Sequence, residues 1–335
     1  MIFFFFFGVG VPNNTCAQER VQCRFQRVFV AIADSVEVGR LFAIGYFGVD
    51  ACFSKHHVYR QGYLHLLTMR DGNNKLMPLA WAMCETESGV TYAWFAVWCK
   101  KAGLEVVLNV GVIFSDRQKG IEKFMEAFEA WIGSCFRHIV ENCKGHIKGT
   151  GRSFNLGLAW QLQEARTYRD FRAKLRMIAA QSARAAEYFD HEVVHEHTYL
   201  YALLEEGIAT FEQKATNNTV EGLNGTFVFA RDQVPYRMNY LLCKWVGEHF
   251  GIHLDDALKA QAQGKLLTTW AEMLFREQVG CALHGVSRMC PVRAHLSCAD
   301  RDCSPVRTHR TARRGRFILR GRWTIREVIP GGFGQ

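Results

Sequence analysis

The sequence predicts an α/β fold in which a mixed β-sheet carries a large helical insertion. Two observations predict this class. Short apolar segments of strand length, separated by turns or single helical segments, are concentrated before residue 150. Long stretches rich in Ala, Arg, Glu and Leu follow at residues 153–211. An order of strands first and helices afterwards is typical of an α/β core with a helical insertion.

The first three strands are predicted at residues 46–53, 63–69 and 76–83. Between the second and third lies Asp71-Gly72, a pair that favours a tight turn between antiparallel strands. We therefore expect these strands to be antiparallel neighbours. The preceding residues 1–42 are poorly patterned.

A helix is predicted next, at residues 91–102, because Trp94, Phe95 and Trp98 recur at helical spacing. Gly103 stands where a glycine often ends a helix.

The remaining elements complete the predicted order. Strands are expected at 106–114 and 134–140, on either side of an amphipathic helix at 121–132. A long helix at 167–189 lies in the insertion, and a further helix begins near Asn218. The predicted domains are a segment 1–42, a domain 43–250 with an insertion at about 150–212, a helical extension 251–287 and a basic tail 288–335 for which disorder is also considered.

The composition excludes several classes of protein. Of the 335 residues, 49% are hydrophobic and 22% are charged, which is typical of a globular chain and not of a disordered one. The longest apolar run, residues 1–11, is shorter than the roughly 20 residues of a transmembrane helix, so no membrane partner is expected. The 12 cysteines are spread along the chain, which favours a reducing compartment over a disulfide scaffold.

Three carboxylates lie at informative positions. Asp50 is inside an apolar strand, where an ionised side chain is costly unless a cation or metal accompanies it. Asp116 ends the fourth predicted strand, where Asp is also a favoured N-cap of the following helix. Glu221 occupies the third position of a helix that Asn218 can cap. Asp116 and Glu221 thus each have a structural explanation when considered alone.

Five motifs around these acids resemble the transposase domain of the Mutator-like element family, in family order over residues 46–250. They are GVDACFSK at 48–55, the segment 66–83 with its RDGNN turn, IFSDRQKG at 113–120, CFRH at 135–138 and TNNTVEGLN at 216–224. The resemblance implies a ribonuclease H-like fold with a helical insertion before the third acid. It also implies a DDE triad formed by Asp50, Asp116 and Glu221.

Such a triad implies two Mg²⁺ or Mn²⁺ ions, since carboxylate oxygens suit these cations, and zinc is not expected. In the family, water first nicks DNA at a transposon end, and the freed 3′-hydroxyl then attacks target DNA. The implied partners are transposon terminal repeats and target DNA, the implied location is the nucleus, and a homo-oligomer is also considered.

Two residue pairs near the second acid have alternative interpretations. Cys135 and His138 form the C-x2-H pair that recurs in the family, and a packing or supporting role is favoured because two ligands do not complete a zinc site. Arg117 and Lys119 are predicted at a helix N-terminus, where they would contact a DNA phosphate or simply face solvent.

The C-terminal region contains eleven arginines and two aspartates between positions 288 and 326. Arg313, Arg314 and Arg316 are candidate contacts to the DNA backbone, and a solvated terminus is the equal alternative. The potential metal ligands Cys290, His295, Cys298 and Cys303 lack the spacing of a zinc knuckle.

The function favoured by the sequence is that of a DDE transposase or its remnant. The alternative is a catalytically inactive, transposon-derived protein that binds DNA or regulates it. A third interpretation is a structure-selective nuclease with the same fold, which would nick DNA without joining it.

Overall fold

The computed structural model describes residues 2–7, 27–32, 45–57, 62–109, 111–117, 120–208, 218–265, 267–273 and 276. The chain divides into the units Met1–Gly280 and Cys281–Gln335, and all described residues belong to the first. The predictions for Lys119, the arginine-rich tail and the candidate ligands at 290–303 lie outside the described residues.

A seven-stranded mixed sheet forms the centre of the first unit. Its strands are β1 (Ile2–Phe7), β2 (Arg27–Ile32), β3 (Tyr46–Phe53), β4 (Tyr63–Arg70), β5 (Leu76–Cys84), β6 (Val112–Ser115) and β7 (Trp131–Ser134), in the spatial order β1-β2-β5-β4-β3-β6-β7. Strands β3, β4 and β5 are antiparallel neighbours, as predicted, whereas β6 runs parallel to β3 and β7 parallel to β6. The predicted α/β class with a mixed sheet is confirmed.

The hairpin between β4 and β5 is confirmed, but its turn chemistry differs from a simple Asp-Gly turn. The Asp71 carboxylate accepts hydrogen bonds from the backbone N–H groups of Asn73 and Lys75. The left-handed residue is Asn74, with φ of 63°, and Asn tolerates this conformation better than most residues. The side chain of Asp71 therefore organises a loop longer than a two-residue turn.

The structure gives the bounds of eleven α-helices. They are α1 (Gly89–Lys101), α2 (Glu105–Leu108), α3 (Glu122–Met125), α4 (Phe136–Ile147), α5 (Leu156–Gln163), α6 (Tyr168–Ala179), α7 (Ala183–His191), α8 (Leu200–Glu205), α9 (Asn218–Thr226), α10 (Val228–Arg231) and α11 (Pro235–Ala262). None of the described helices is long and apolar enough to cross a membrane.

Helices cover both faces of the sheet. On one face Tyr92 and Phe95 of α1 and Phe124 of α3 are buried in one apolar cluster. On the other face Leu223 of α9 and Leu242 of α11 are buried in a second cluster. Because side chains alternate along a strand, β3 contributes residues to both clusters.

The helical block α4–α8 has an apolar core of its own. Phe136, Phe171, Phe189 and Tyr199 are fully buried within it, which explains why this long segment forms a compact insertion. The single helix predicted at 167–189 is wrong. It is two helices, because the chain breaks after α6 and Ser182 caps α7 by accepting a hydrogen bond from the Ala185 N–H.

Three other boundaries predicted from apolar runs are wrong. Residues 106–108 of the strand predicted at 106–114 belong to the helix Glu105–Leu108, and the strand described there is Val112–Ser115. The predicted helix at 121–132 ends at Met125, and residues 136–140 of the strand expected at 134–140 instead form the start of α4. A short apolar run does not distinguish a strand from a buried helix, so pairing in the sheet decides.

Candidate active site

Asp50 is the most buried carboxylate among the sequence-predicted acids whose side chains are described. Its side chain is 8% exposed, and it lies in β3 on the same side as Cys52, which packs in the cluster beneath α9. The Asn224 amide, from α9, donates a hydrogen bond to Asp50 Oδ2 over 3.1 Å. A buried carboxylate needs such a partner, because removing its charge from water is costly.

Asp116 follows β6 at the level of Asp50. The parallel pairing of β3 and β6 sets Gly48 opposite Phe114, so positions 50 and 116 come two residues later on each chain. Adjacent strands lie about 5 Å apart, and residues two positions apart face the same side of a strand. The structure therefore brings Asp50, within β3, and Asp116, just beyond the carboxyl end of β6, to neighbouring positions on two central strands.

Asp116 does not cap a helix, which was its alternative explanation. The next helix, α3, begins at Glu122, and its N-cap position is Ile121, with no side-chain cap. A capping role for Asp116 is therefore wrong.

Gly120, four residues after Asp116, lies against the start of α1. Gly120 has φ of 102°, and a Cβ atom added there would lie 2.5 Å from the backbone nitrogen of Gly89. Only glycine fits this close approach of two backbones. The end of β6 and the loop that follows β5 are thus held together.

Glu87 is a further carboxylate at this end of the strands, and sequence reasoning missed it. It follows β5, whose last residue pairs across β4 with the last residue of β3. The Tyr92 hydroxyl donates a hydrogen bond to Glu87 Oε1 over 3.0 Å. Burial raises the pKa of Glu87 and the negative charge of Asp116 raises it further, against the opposing hydrogen bond from Tyr92. The sequence signal that could have found Glu87 is its position just after the apolar segment that forms β5.

The helix that contains Glu221 lies on the same face of the sheet as Asp50. Helix α9 begins at Asn218, as predicted, and Val220 and Leu223 anchor it in the apolar cluster with Cys52. Glu221 precedes Asn224 by about one helical turn, while its side chain is outside the described residues. Among the side chains that the structure describes, no three of the His, Cys, Asp and Glu type are grouped to hold a metal.

The described donor atoms nevertheless suit a hard divalent cation. Asp50 and Asp116 supply carboxylate oxygens, and Asn224 supplies an amide oxygen. Within the described part of the chain, this Asn224 Oδ1 is buried and has no hydrogen-bond partner. Carboxylate and amide oxygens are the ligands that Mg²⁺ and Mn²⁺ prefer.

Arg231 joins β3 to α9 and was also missed by sequence reasoning. Its guanidinium, 6% exposed, donates to the carbonyl oxygen of Phe53 over 2.8 and 3.1 Å and to that of Asn224 over 3.2 Å. This one side chain therefore fixes the end of α9 against the end of β3, three residues beyond Asp50.

Arg117 does not lie at a helix N-terminus, so the premise of its predicted phosphate contact is wrong. Its guanidinium donates to the carbonyl oxygen of Glu192 over 2.9 Å and to the hydroxyl of Tyr188. The residue next to Asp116 thereby connects the end of β6 to the helical block. A contact with DNA stays a prediction.

Cys135 and His138 lie at the start of α4, not on the alternating strand assumed from the sequence. Cys135 is fully buried at the N-cap position, and its backbone N–H donates to the carbonyl oxygen of Ser115 over 2.7 Å. It therefore holds the residue before Asp116. Positions 135 and 138 are about one turn apart, so they lie on the same side of the helix start.

No model of a known protein family matches the chain, and no curated protein matches it. The resemblance to Mutator-like transposases consequently depends on the five sequence motifs and stays a prediction. The geometry of Asp50, Asp116 and α9 is independent of that resemblance.

Proposed function

We propose that this chain is a DDE transposase, or its remnant, that cuts and joins DNA at transposon ends by two-metal phosphoryl transfer. One observation carries the proposal. Asp50 and Asp116 come at equivalent levels of the parallel strands β3 and β6, and the Asn224 amide joins Asp50 to the helix that contains Glu221. Asp50 and Asp116 are 105 residues or more from Glu221 in sequence. The three acids thus belong to elements that meet on one face of the central strands.

The architecture supports a ribonuclease H-like fold as the finer description. The mixed sheet has antiparallel strands on one side of β3 and parallel strands on the other. The helical block α4–α8 lies in the chain between Asp116 and Glu221, where the proposed family places its insertion.

Each site residue has a defined task in this mechanism. Asp50, Asp116 and Glu221 would hold two divalent ions, which when bound activate the attacking oxygen and stabilise the leaving oxygen. Arg231 fixes α9 relative to β3, and Gly120 fixes the loop of Asp116 against α1. These contacts preorganise the carboxylates before any substrate binds, which is the protein's main contribution in phosphoryl transfer.

The proposed partners are transposon terminal repeats and target DNA, and the proposed location is the nucleus. The arginines between positions 288 and 326, including Arg313, Arg314 and Arg316, are proposed to neutralise backbone phosphates. A homo-oligomer would allow both transposon ends to be held at once.

The test is a Mn²⁺-supported nicking and joining assay on DNA that carries the ends of the source element. We expect Asp50→Asn, Asp116→Asn and Glu221→Gln each to abolish both products, because each removes a charged ligand. The control is Glu141→Gln, since Glu141 is an exposed acid of α4 that pairs with Lys144, and it should retain activity.

The outcomes separate the competing functions. Nicks without joined products would favour the structure-selective nuclease, and DNA binding by an inactive wild-type protein would favour the non-catalytic alternative. Cleavage at the wild-type rate by Asp50→Asn would contradict the proposal.

A further inference from the structure

Asn224 has a half-buried amide with one satisfied end and one unsatisfied end. Its Nδ2 donates to Asp50 Oδ2 over 3.1 Å, while its Oδ1 is buried and has no hydrogen-bond partner among the residues that the structure describes. A buried polar atom without a partner is destabilising, and such atoms are rare in native proteins. A ligand from outside the described residues would satisfy this oxygen.

The backbone of α9 is fixed on both sides of Asn224. Leu223 is buried in the apolar cluster beneath the helix. The backbone oxygen of Asn224 itself accepts a hydrogen bond from Arg231, which also binds the carbonyl oxygen of Phe53. The backbone that carries Asn224 is thus held beside β3, and the hydrogen bond to Asp50 orients its amide.

The chemistry of an amide explains why both ends are useful at this position. Asn has a donor end and an acceptor end, whereas an ionised Asp or Glu only accepts. The donor end stabilises the ionised form of Asp50, and the acceptor end is a neutral oxygen of the type that Mg²⁺ and Mn²⁺ bind. A neutral ligand also adds no further negative charge beside Asp50 and Asp116.

We propose that Asn224 is a fourth ligand of the cation site, with its Oδ1 bound to the cation that Asp50 holds. The inference rests on the proposed function, because that function provides the cation. It goes beyond the acid triad by assigning a neutral ligand on the same helix as Glu221, about one turn later.

Three variants of Asn224 separate a ligand from a residue that only hydrogen-bonds Asp50. Asn224→Leu has a similar size and removes both polar ends. Asn224→Ala removes the side chain beyond Cβ. Asn224→Asp keeps an oxygen at the ligand position, removes the donor and adds a negative charge next to Asp50.

The experiment measures Mn²⁺ binding to the full chain from the loss of the free-ion signal in electron paramagnetic resonance, together with thermal unfolding with and without Mn²⁺. We expect Asn224→Leu and Asn224→Ala to bind Mn²⁺ about 10- to 100-fold more weakly than the wild type. Asn224→Asp should unfold at a lower temperature without Mn²⁺, because its charge repels Asp50. With Mn²⁺ its unfolding temperature should rise by more than that of the wild type.

If Asn224 only hydrogen-bonded Asp50, Asn224→Asp would bind Mn²⁺ as weakly as Asn224→Leu, because it too lacks the donor, and Mn²⁺ would raise its unfolding temperature by less than that of the wild type. That result, or wild-type affinity in Asn224→Leu, would overturn the assignment. The matched control is Asn109→Leu, which removes an amide that binds the Glu129 N–H near the opposite end of β6 and should leave Mn²⁺ affinity unchanged.

The same titration distinguishes failure of this inference from failure of the proposed function. If the wild type binds Mn²⁺ and Asp50→Asn does not, while Asn224→Leu binds normally, only the assignment of Asn224 is wrong. If the wild type binds no Mn²⁺, or Asp50→Asn binds it as the wild type does, both proposals are wrong.

Discussion

The two faces of the sheet differ in the polar groups that they bury. Beneath α1 and α3 the packing is made by large apolar side chains such as Phe95 and Phe124. The titratable side chain of His65 is buried against Phe95 on this face. Beneath α9 and α11 the sheet buries Asp50. Arg231 joins β3 to α9 through the carbonyl oxygens of Phe53 and Asn224. The first face has the properties of a stabilising core, and the second combines packing with a preorganised polar site.

The largest expected effect on stability comes from breaking the apolar face. Phe95→Ala removes a fully buried ring that contacts Phe29 and Phe124, so we expect a loss of about 3–5 kcal/mol in the free energy of unfolding. Denaturant titration measures this loss. Mn²⁺ affinity per folded molecule should stay unchanged, and a large change in it would show that the two faces are not separable.

A second prediction tests how the chain that follows β6 is attached to the start of α1. Gly120→Ala places a Cβ atom against the Gly89 backbone, so we expect it to lower stability by about 3 kcal/mol or more and to weaken Mn²⁺ binding by displacing Asp116. Gly103→Ala is the control, because Gly103 has φ of 79° but open space around it. It should lower stability by only about 1–2 kcal/mol and leave Mn²⁺ binding intact. Equal losses in the two variants would contradict the close approach.

A third prediction uses the buried histidine of the apolar face. Burial lowers the pKa of His65 to about 3, below its ordinary value of about 6.5. Because the unfolded chain takes up a proton first, the stability due to neutral His65 is lost as the pH falls below about 6.5. Relative to His65→Leu, the wild type should lose about 2 kcal/mol in the free energy of unfolding between pH 7 and pH 5, as measured by denaturant titration at each pH. Parallel pH profiles of the two proteins would show that His65 is not buried in this way.

The smallest effect on stability is expected at Glu87, which lies just after β5. Its pKa is raised, mainly by burial, so ionisation of Glu87 lowers stability as the pH rises above its ordinary pKa. Glu87→Gln should therefore gain stability relative to the wild type between pH 4 and pH 7 in thermal unfolding. The gain should be smaller when Asp116→Asn is already present, and an unchanged gain would show that the two carboxylates do not interact.

Sequence reasoning located the strands that carry the acids but not the contacts between them. The apolar run around Asp50 and the Asp71 turn are local signals, so β3, β4 and β5 were predictable from short segments. The neighbourhood of Asp50 and Asn224 depends on residues 174 positions apart, and no local pattern contains it.

The errors have the same physical origin. Residues 134–140 were predicted as a strand because of their apolar character, whereas burial of Phe136 and Ile139 in the helical block stabilises a helix there. Glu87 was overlooked because its significance comes from the loop of Asp116 packing beside it. Tertiary context decided both cases.

In the proposed function, Asp50, Asp116 and Glu221 form one cation site on the face of the sheet beneath α9. The most direct measurement is a Mn²⁺ titration, followed by electron paramagnetic resonance, of the wild type and of Asp50→Asn, Asp116→Asn and Glu221→Gln. The account predicts that each substitution weakens Mn²⁺ binding by at least about 10-fold while Glu141→Gln does not. Wild-type affinity in Glu221→Gln would contradict it, because the helix α9 would then contribute no acid to the site.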